Sequence, residues 1–124
     1  MNTLNLFQHV FIDNKAEKTL FLLHGTGGSE HDLLPLVKEL SDQYNFVGIK
    51  GNIFEHGMAR FFERDEFGVF DQDSITTETK KLSEFIEAWK SNRAIANENT
   101  AFLGYSNGAT MIVALAFYYP ELVR

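Results

Sequence analysis

Apolar residues fall along this chain in short unbroken blocks separated by stretches of helical period. Residues 19–23 (TLFLL) are an uninterrupted run that stops at His24-Gly25, as expected of a strand covered on both faces of a parallel sheet. Residues 46–49 (FVGI) and 100–103 (TAFL) repeat that pattern. Nearer the N-terminus, Leu4, Leu6, Val10 and Ile12 are interrupted by Asn5, Gln8 and His9. They predict one strand or two short ones, ending at the turn-prone Asp13-Asn14-Lys15. Between the blocks the period lengthens. Ser29 precedes Leu33, Leu34, Val37 and Leu40 at helical spacing, with Pro35 tolerable near the helix start. A second helix is expected from Ser74 to about residues 97–99, its buried stripe marked by Leu82, Phe85, Ile86 and Trp89. Residues 109–118 are apolar almost all round until Pro120, as a helix inside the fold would be. Residues 51–73 hold five phenylalanines and several glycines without a sustained period, and read as a long excursion of the kind that often carries function. Strands alternating with helices in this way argue for an α/β fold with a mostly parallel sheet flanked by helices.

At 124 residues the chain suits a single domain, 1–124, with one core. Its charge narrows the partners: a formal net charge of −6 disfavours nucleic acid, whose binding depends on clustered Lys and Arg. The absence of cysteine removes disulfides, thiolate nucleophiles and thiolate metal sites, which fits the cytoplasm. No basic-then-apolar leader opens the sequence, and no apolar run approaches the ~18 residues of a membrane helix. A soluble, non-exported protein with no membrane association is expected.

Candidate chemistry sits at the ends of two buried blocks. Gly104-Tyr105-Ser106-Asn107-Gly108 lies between the last strand and the last helix, the setting in which G-x-S-x-G has a mechanical meaning. A sharp strand-to-helix turn strains the serine backbone and needs small residues two positions to either side. It lifts Ser106 Oγ above the strand ends and leaves amides at the helix start free for an oxyanion. By itself the pattern also describes an ordinary glycine-flanked turn. His24-Gly25-Thr26-Gly27-Gly28 adds a second signal, because a glycine-rich turn here can bring another backbone N–H beside the serine. Its spacing matches neither phosphate-loop pattern, G-x-x-x-x-G-K-[ST] or G-x-G-x-x-G. His24 is expected to tie this loop together by hydrogen bonds rather than to act as a base.

HGTGGSEHDLLPL, RFFERDEFGVFD and GYSNGATMIVALA, in that order, resemble the small phospholipase/carboxylesterase branch of the α/β hydrolases, relatives of acyl-protein thioesterases. The resemblance covers nearly the whole chain. It implies a cytoplasmic esterase acting on small carboxylic or thiol esters through an acyl-serine, with Ser106 as nucleophile and the N–H groups of Thr26 and Asn107 as the oxyanion hole. Phe54, Arg60, Phe61 and Phe62 would help wall the acyl or aryl pocket, with simple loop packing as the alternative for each. No cofactor is implied, and His24, His31 and His56 show no metal-ligand spacing.

One departure matters. The family's triad runs Ser, then Asp or Glu, then His, yet no histidine follows His56 and Glu121 is the sole acid after Ser106. The chain is therefore expected to be the N-terminal portion of a truncated α/β-hydrolase domain, with little activity alone. The remainder was lost or lies in a second chain, or else the short form has another role. His56, on the excursion, is the one histidine whose reach to Ser106 stays open; His9 and His31 suit structural or solvated positions. With later strands absent, residues 100–103 should form a bare edge, and Met111, Ile112, Leu115 and Phe117 an apolar patch. A homodimer, or association with a chain supplying the missing strands, is expected. The rival reading is a non-catalytic scaffold or binding protein that uses the half-fold for self-association.

Overall fold

A computed structural model of the protein describes residues 3–64 and 69–123. Six strands and three α-helices are named along it: β1 (His9–Ile12), β2 (Lys18–Leu23), α1 (Leu34–Val37), β3 (Tyr44–Ile49), β4 (Ile53–Glu55), β5 (Met58–Arg60), α2 (Gln72–Arg93), β6 (Thr100–Gly104) and α3 (Asn107–Tyr118). The main sheet has the order β1-β3-β2-β6. β2 runs parallel to both neighbours, Leu22 facing Gly48 on one side and Leu103 on the other. β1 closes the far edge antiparallel to β3.

Alternation along the strands builds two cores. Phe21, Leu23, Val47 and Ile49 point to the face covered by α2 and α3, where Phe85, Ile86, Leu82, Met111 and Leu115 meet them. Leu20, Leu22 and Phe46 point the other way, toward Val37 and Leu34. β2 therefore has apolar partners on both sides, and that is why its sequence does not alternate. Phe21 stacks on Phe102 across the β2–β6 pair with ring centroids 5.4 Å apart.

The first expected helix shrinks to α1 and a following 3₁₀ turn, Lys38–Leu40. Two local causes explain this. The Ser29 hydroxyl accepts from the His31 N–H at 3.2 Å in a turn of its own, and Pro35 has no N–H to bond the His31 carbonyl, so the helical ladder cannot extend backward. The N-terminal segment forms a 3₁₀ turn, Thr3–Asn5, and then a single strand, β1. α2 starts earlier than expected, at a cap where Asp71 accepts from the Ser74 N–H at 3.0 Å. It also stops earlier, where Ala94 turns left-handed at φ 52°.

Within the excursion, β4 and β5 form an antiparallel hairpin. Its two-residue turn, His56-Gly57, has positive φ at both positions, 52° and 80°, the geometry that matches strand twist in tight hairpins. Residues 65–68 of the excursion lie outside the described residues.

α3 is not buried all round. Met111 and Leu115 are fully enclosed, so the expected patch loses them to the core, whereas Val113 and Phe117 are 68% and 77% exposed. Tyr105, on the turn before the helix, is exposed too. β6 pairs with β2 on one side only; its other edge has no strand beside it among the described residues.

Candidate active site

β6 ends at Gly104 and α3 begins at Asn107, so the chain reverses within two residues. Ser106 occupies that reversal at φ 51°, ψ −108°, a conformation that costs a non-glycine residue of order 1–3 kcal/mol. The surroundings enforce it. A Cβ on Gly104 would stand 2.7 Å from Ala109 N, and one on Gly108 would strike the Leu23 carbonyl. Ser106 is exposed. The turn is tied by Tyr105 N–H to Leu23 O at 3.1 Å and Gly108 N–H to Tyr105 O at 3.0 Å. The Asn107 N–H, in the first turn of α3, has no carbonyl four residues back to serve.

The second loop leaves β2 at His24. Gly28 N–H closes it on Gly25 O at 3.0 Å, Gly27 takes φ 85°, and Gly25 lies against Tyr105, where a Cβ would be 2.8 Å from Cδ2 of that ring. The glycine loop and the serine turn are thus in contact. His24 is 1% exposed. Its Nε2 accepts from Gly51 N–H at 3.0 Å, which puts the proton on Nδ1, 2.5 Å from Gly25 O. Burial pushes its pKa below the ordinary value, outweighing the Gly25 hydrogen bond and the Asp32 and Glu30 carboxylates, which raise it.

A pH dependence follows. With the folded pKa depressed, His24 contributes stability that is fully present above the unfolded value of about 6.5 and lost as pH falls through the folded one, because the unfolded chain binds the proton first. Melting temperatures should decline below about pH 6.5 more steeply for the native chain than for His24→Gln. Parallel curves would show that His24 is not the group responsible.

The hairpin joins the two loops. Gly27 N–H donates to Ala59 O at 3.0 Å, Arg60 Nη1 donates to Thr26 Oγ1 at 2.6 Å, and Phe61 N–H donates to Asn107 Oδ1 at 2.7 Å. Arg60 is 2% exposed. Its Nε donates to Phe62 O at 3.0 Å and stands 3.4 Å from Glu55. Desolvation lowers its pKa, with the neighbouring Arg64 charge acting in the same direction. Arg64 holds Glu55 through Nε and Nη2 at 3.0–3.1 Å, and these bonds keep the Glu55 carboxyl below its usual range.

A cleft of about 230 Å³ opens here, lined by Thr26, Arg60, Arg64, Phe70, Ser106, Asn107 and Thr110. It brings together Ser106, Thr26, Asn107 and Arg60 of the sequence-derived set. The other three lie elsewhere: Phe61 and Phe62 are fully buried in the core, and Phe54 is 62% exposed beneath the Lys50 ammonium. These three do not line this cleft: the chain turns the Phe61 and Phe62 rings inward and the Phe54 ring out to solvent.

Arg64, Phe70 and Thr110 were not singled out by the sequence. They lie within the segments that carry the family resemblance, but no spacing rule singles them out, and the fold brings them to the serine. None of the four histidines lines the cleft. His9 packs on Phe85 and Trp89, His31 lies in a groove with Leu34 and Phe46, and His56 is exposed at the hairpin turn. No group of His, Asp and Glu side chains that could hold a metal ion occurs among the described residues. No helix among them is long and apolar enough to cross a membrane.

Comparison with known proteins supplies the family, since residues 8–124 match the phospholipase/carboxylesterase family throughout. The chain belongs to that family. The putative hydrolase MhqD of Bacillus subtilis (strain 168) is 35% identical over 117 residues, 94% of this chain and 58% of MhqD. The Bacillus cereus carboxylesterase structure is 37% identical with a TM-score of 0.85, covering 96% of this chain and 57% of that one. The carboxylesterase from Mesorhizobium loti is 31% identical with a TM-score of 0.88, covering 96% and 58%. As a family member, the chain has the α/β-hydrolase fold expected from its sequence, over somewhat less than three fifths of these relatives' length.

Proposed function

We propose that this chain is the nucleophile-bearing part of a serine hydrolase that cleaves small carboxylic or thiol esters through an acyl-serine intermediate. The strained, exposed Ser106, in one cleft with Thr26 and Asn107, carries the reading. In the proposed step Ser106 Oγ attacks the ester carbonyl, and the Thr26 and Asn107 N–H groups stabilise the resulting oxyanion. The tetrahedral intermediate expels the alcohol or thiol, and water later releases the acid. Ser106 needs a base to take its proton, and we assign that base, with its orienting acid, to residues outside this chain. They would be supplied by strands pairing along the free edge of β6, from another chain or a continuation of this one. Two copies meeting edge to edge across β6 and the Val113–Phe117 face are the alternative association, one that would cover the surface without completing the triad. The lack of cysteine supports a cytoplasmic setting.

A fluorophosphonate probe tests the chemistry. Labelling should map to Ser106 and become much faster when the remaining strands are supplied. Label on another residue, or none in the assembled, folded protein, would overturn the proposal and favour a scaffold.

A further inference from the structure

Beside the oxyanion donors, the lining of the cleft carries charge that cleavage of a simple neutral ester does not require. Among the described residues, two of the seven that line it are arginines and none is acidic. Glu55, outside the lining, is the carboxylate bonded to both: it accepts from Arg64 and lies 3.4 Å from Arg60 Nε. Among the described residues, that sets one carboxylate against two guanidinium groups beside Ser106. Burying a guanidinium is costly unless its charge is used or paired, and Arg60, at 2% exposure, is almost wholly buried. It is also fixed in place. Phe62 O, Thr26 Oγ1 and the Phe62 ring, 5.4 Å from its central carbon, all constrain the guanidinium plane. A preorganised fork of this kind loses little entropy on meeting an anion, and its planar donors suit a carboxylate.

We propose that Arg60 and Arg64 form a carboxylate-recognition subsite, so that the preferred substrates are small esters bearing a second, ionised carboxylate. This rests on the reading of Ser106 as acyl acceptor and deepens it by naming the substrate class. The free carboxylate engages the guanidinium pair while the ester carbonyl sits over Ser106 between Thr26 and Asn107. The cleft as this chain lines it, about 230 Å³, suits a substrate with a few carbons between the two groups.

The test uses the 124-residue chain at fixed ionic strength, with succinate and its neutral analogue succinamide as probes and backbone amide NMR as the readout. Succinate should shift the amides of Thr26, Asn107 and Gly108 in a saturable way, and succinamide should not. Arg64→Gln, at a partly exposed side chain, should weaken succinate binding by roughly tenfold or more, the usual scale for one charge-assisted contact. Arg64→Lys should recover part of that loss. Retained spectral dispersion in each variant confirms folding. Equal response to both probes, no saturable response to succinate, or native affinity in Arg64→Gln would overturn the subsite. A neutral fluorophosphonate separates the two readings. Labelling of Ser106 without succinate selectivity removes the subsite alone. Succinate binding without labelling in the assembled protein removes the acyl-serine step alone.

Discussion

Ser106→Ala should lower hydrolysis of short p-nitrophenyl esters by roughly four orders of magnitude or more once the chain is combined with the strands that complete its sheet. The size of the effect comes from what alanine removes. Without Oγ there is no acyl-enzyme, and attack falls to water held near the Thr26 and Asn107 amides, whose contribution survives. Because the turn is held by Gly104, Gly108 and backbone hydrogen bonds, alanine at 106, which also carries a Cβ, should leave the fold and its backbone strain as they are. The expected signature is therefore lost turnover with an unchanged melting temperature. A variant that kept its rate would place the chemistry on another residue.

Gly108→Ala carries the largest expected effect on stability. Two influences oppose each other there. In a helix, alanine is ordinarily favoured over glycine by about 1 kcal/mol. Here, however, the new Cβ would collide with the Leu23 carbonyl and stand 2.6 Å from His24 O. Both obstacles are backbone atoms of β2 and the glycine loop, so neither can swing aside as a side chain would. Overpacking against fixed atoms typically costs 1–3 kcal/mol and sometimes more. A net loss of about 2 kcal/mol or more should appear as a lower urea midpoint, together with slower labelling of Ser106 as α3 is pushed from the sheet. An unchanged midpoint would mean that the elbow has slack the structure does not display.

Most of the sheet and the serine turn were legible because their signals are local. Residues 19–23 announce a doubly covered strand by composition alone, and Gly104 and Gly108 announce a reversal by spacing alone. The helix foreseen after Ser29 failed for an equally local reason, given too little weight: Pro35 breaks the ladder where the helix would have begun. The excursion was harder. Its hairpin has no alternating pattern in IFEHGMAR, and His56-Gly57 was the one turn signal present. What ties it to the site is long-range, such as Phe61 N–H on Asn107 Oδ1. No spacing rule links those positions. For the same reason Arg60 was placed near the pocket only by resemblance, and Arg64 was missed. The apolar run at 109–118 misled in another way, because periodicity could not say which side of α3 meets α2; Met111 and Leu115 do, and Val113 and Phe117 do not.

The pairing of β2 sets an order of events during synthesis. β2 and β3 are close in sequence and can meet early, but Thr19 finds its second neighbour only at Thr100. The loop closed by that pairing contains the hairpin and the whole of α2. Until Thr100 has left the ribosome, β2 is itself an edge, and the glycine loop at its end has no serine turn to rest against. Both halves of the proposed catalytic cleft are thus made by one late, long-range contact, the kind whose loop-closure entropy slows folding.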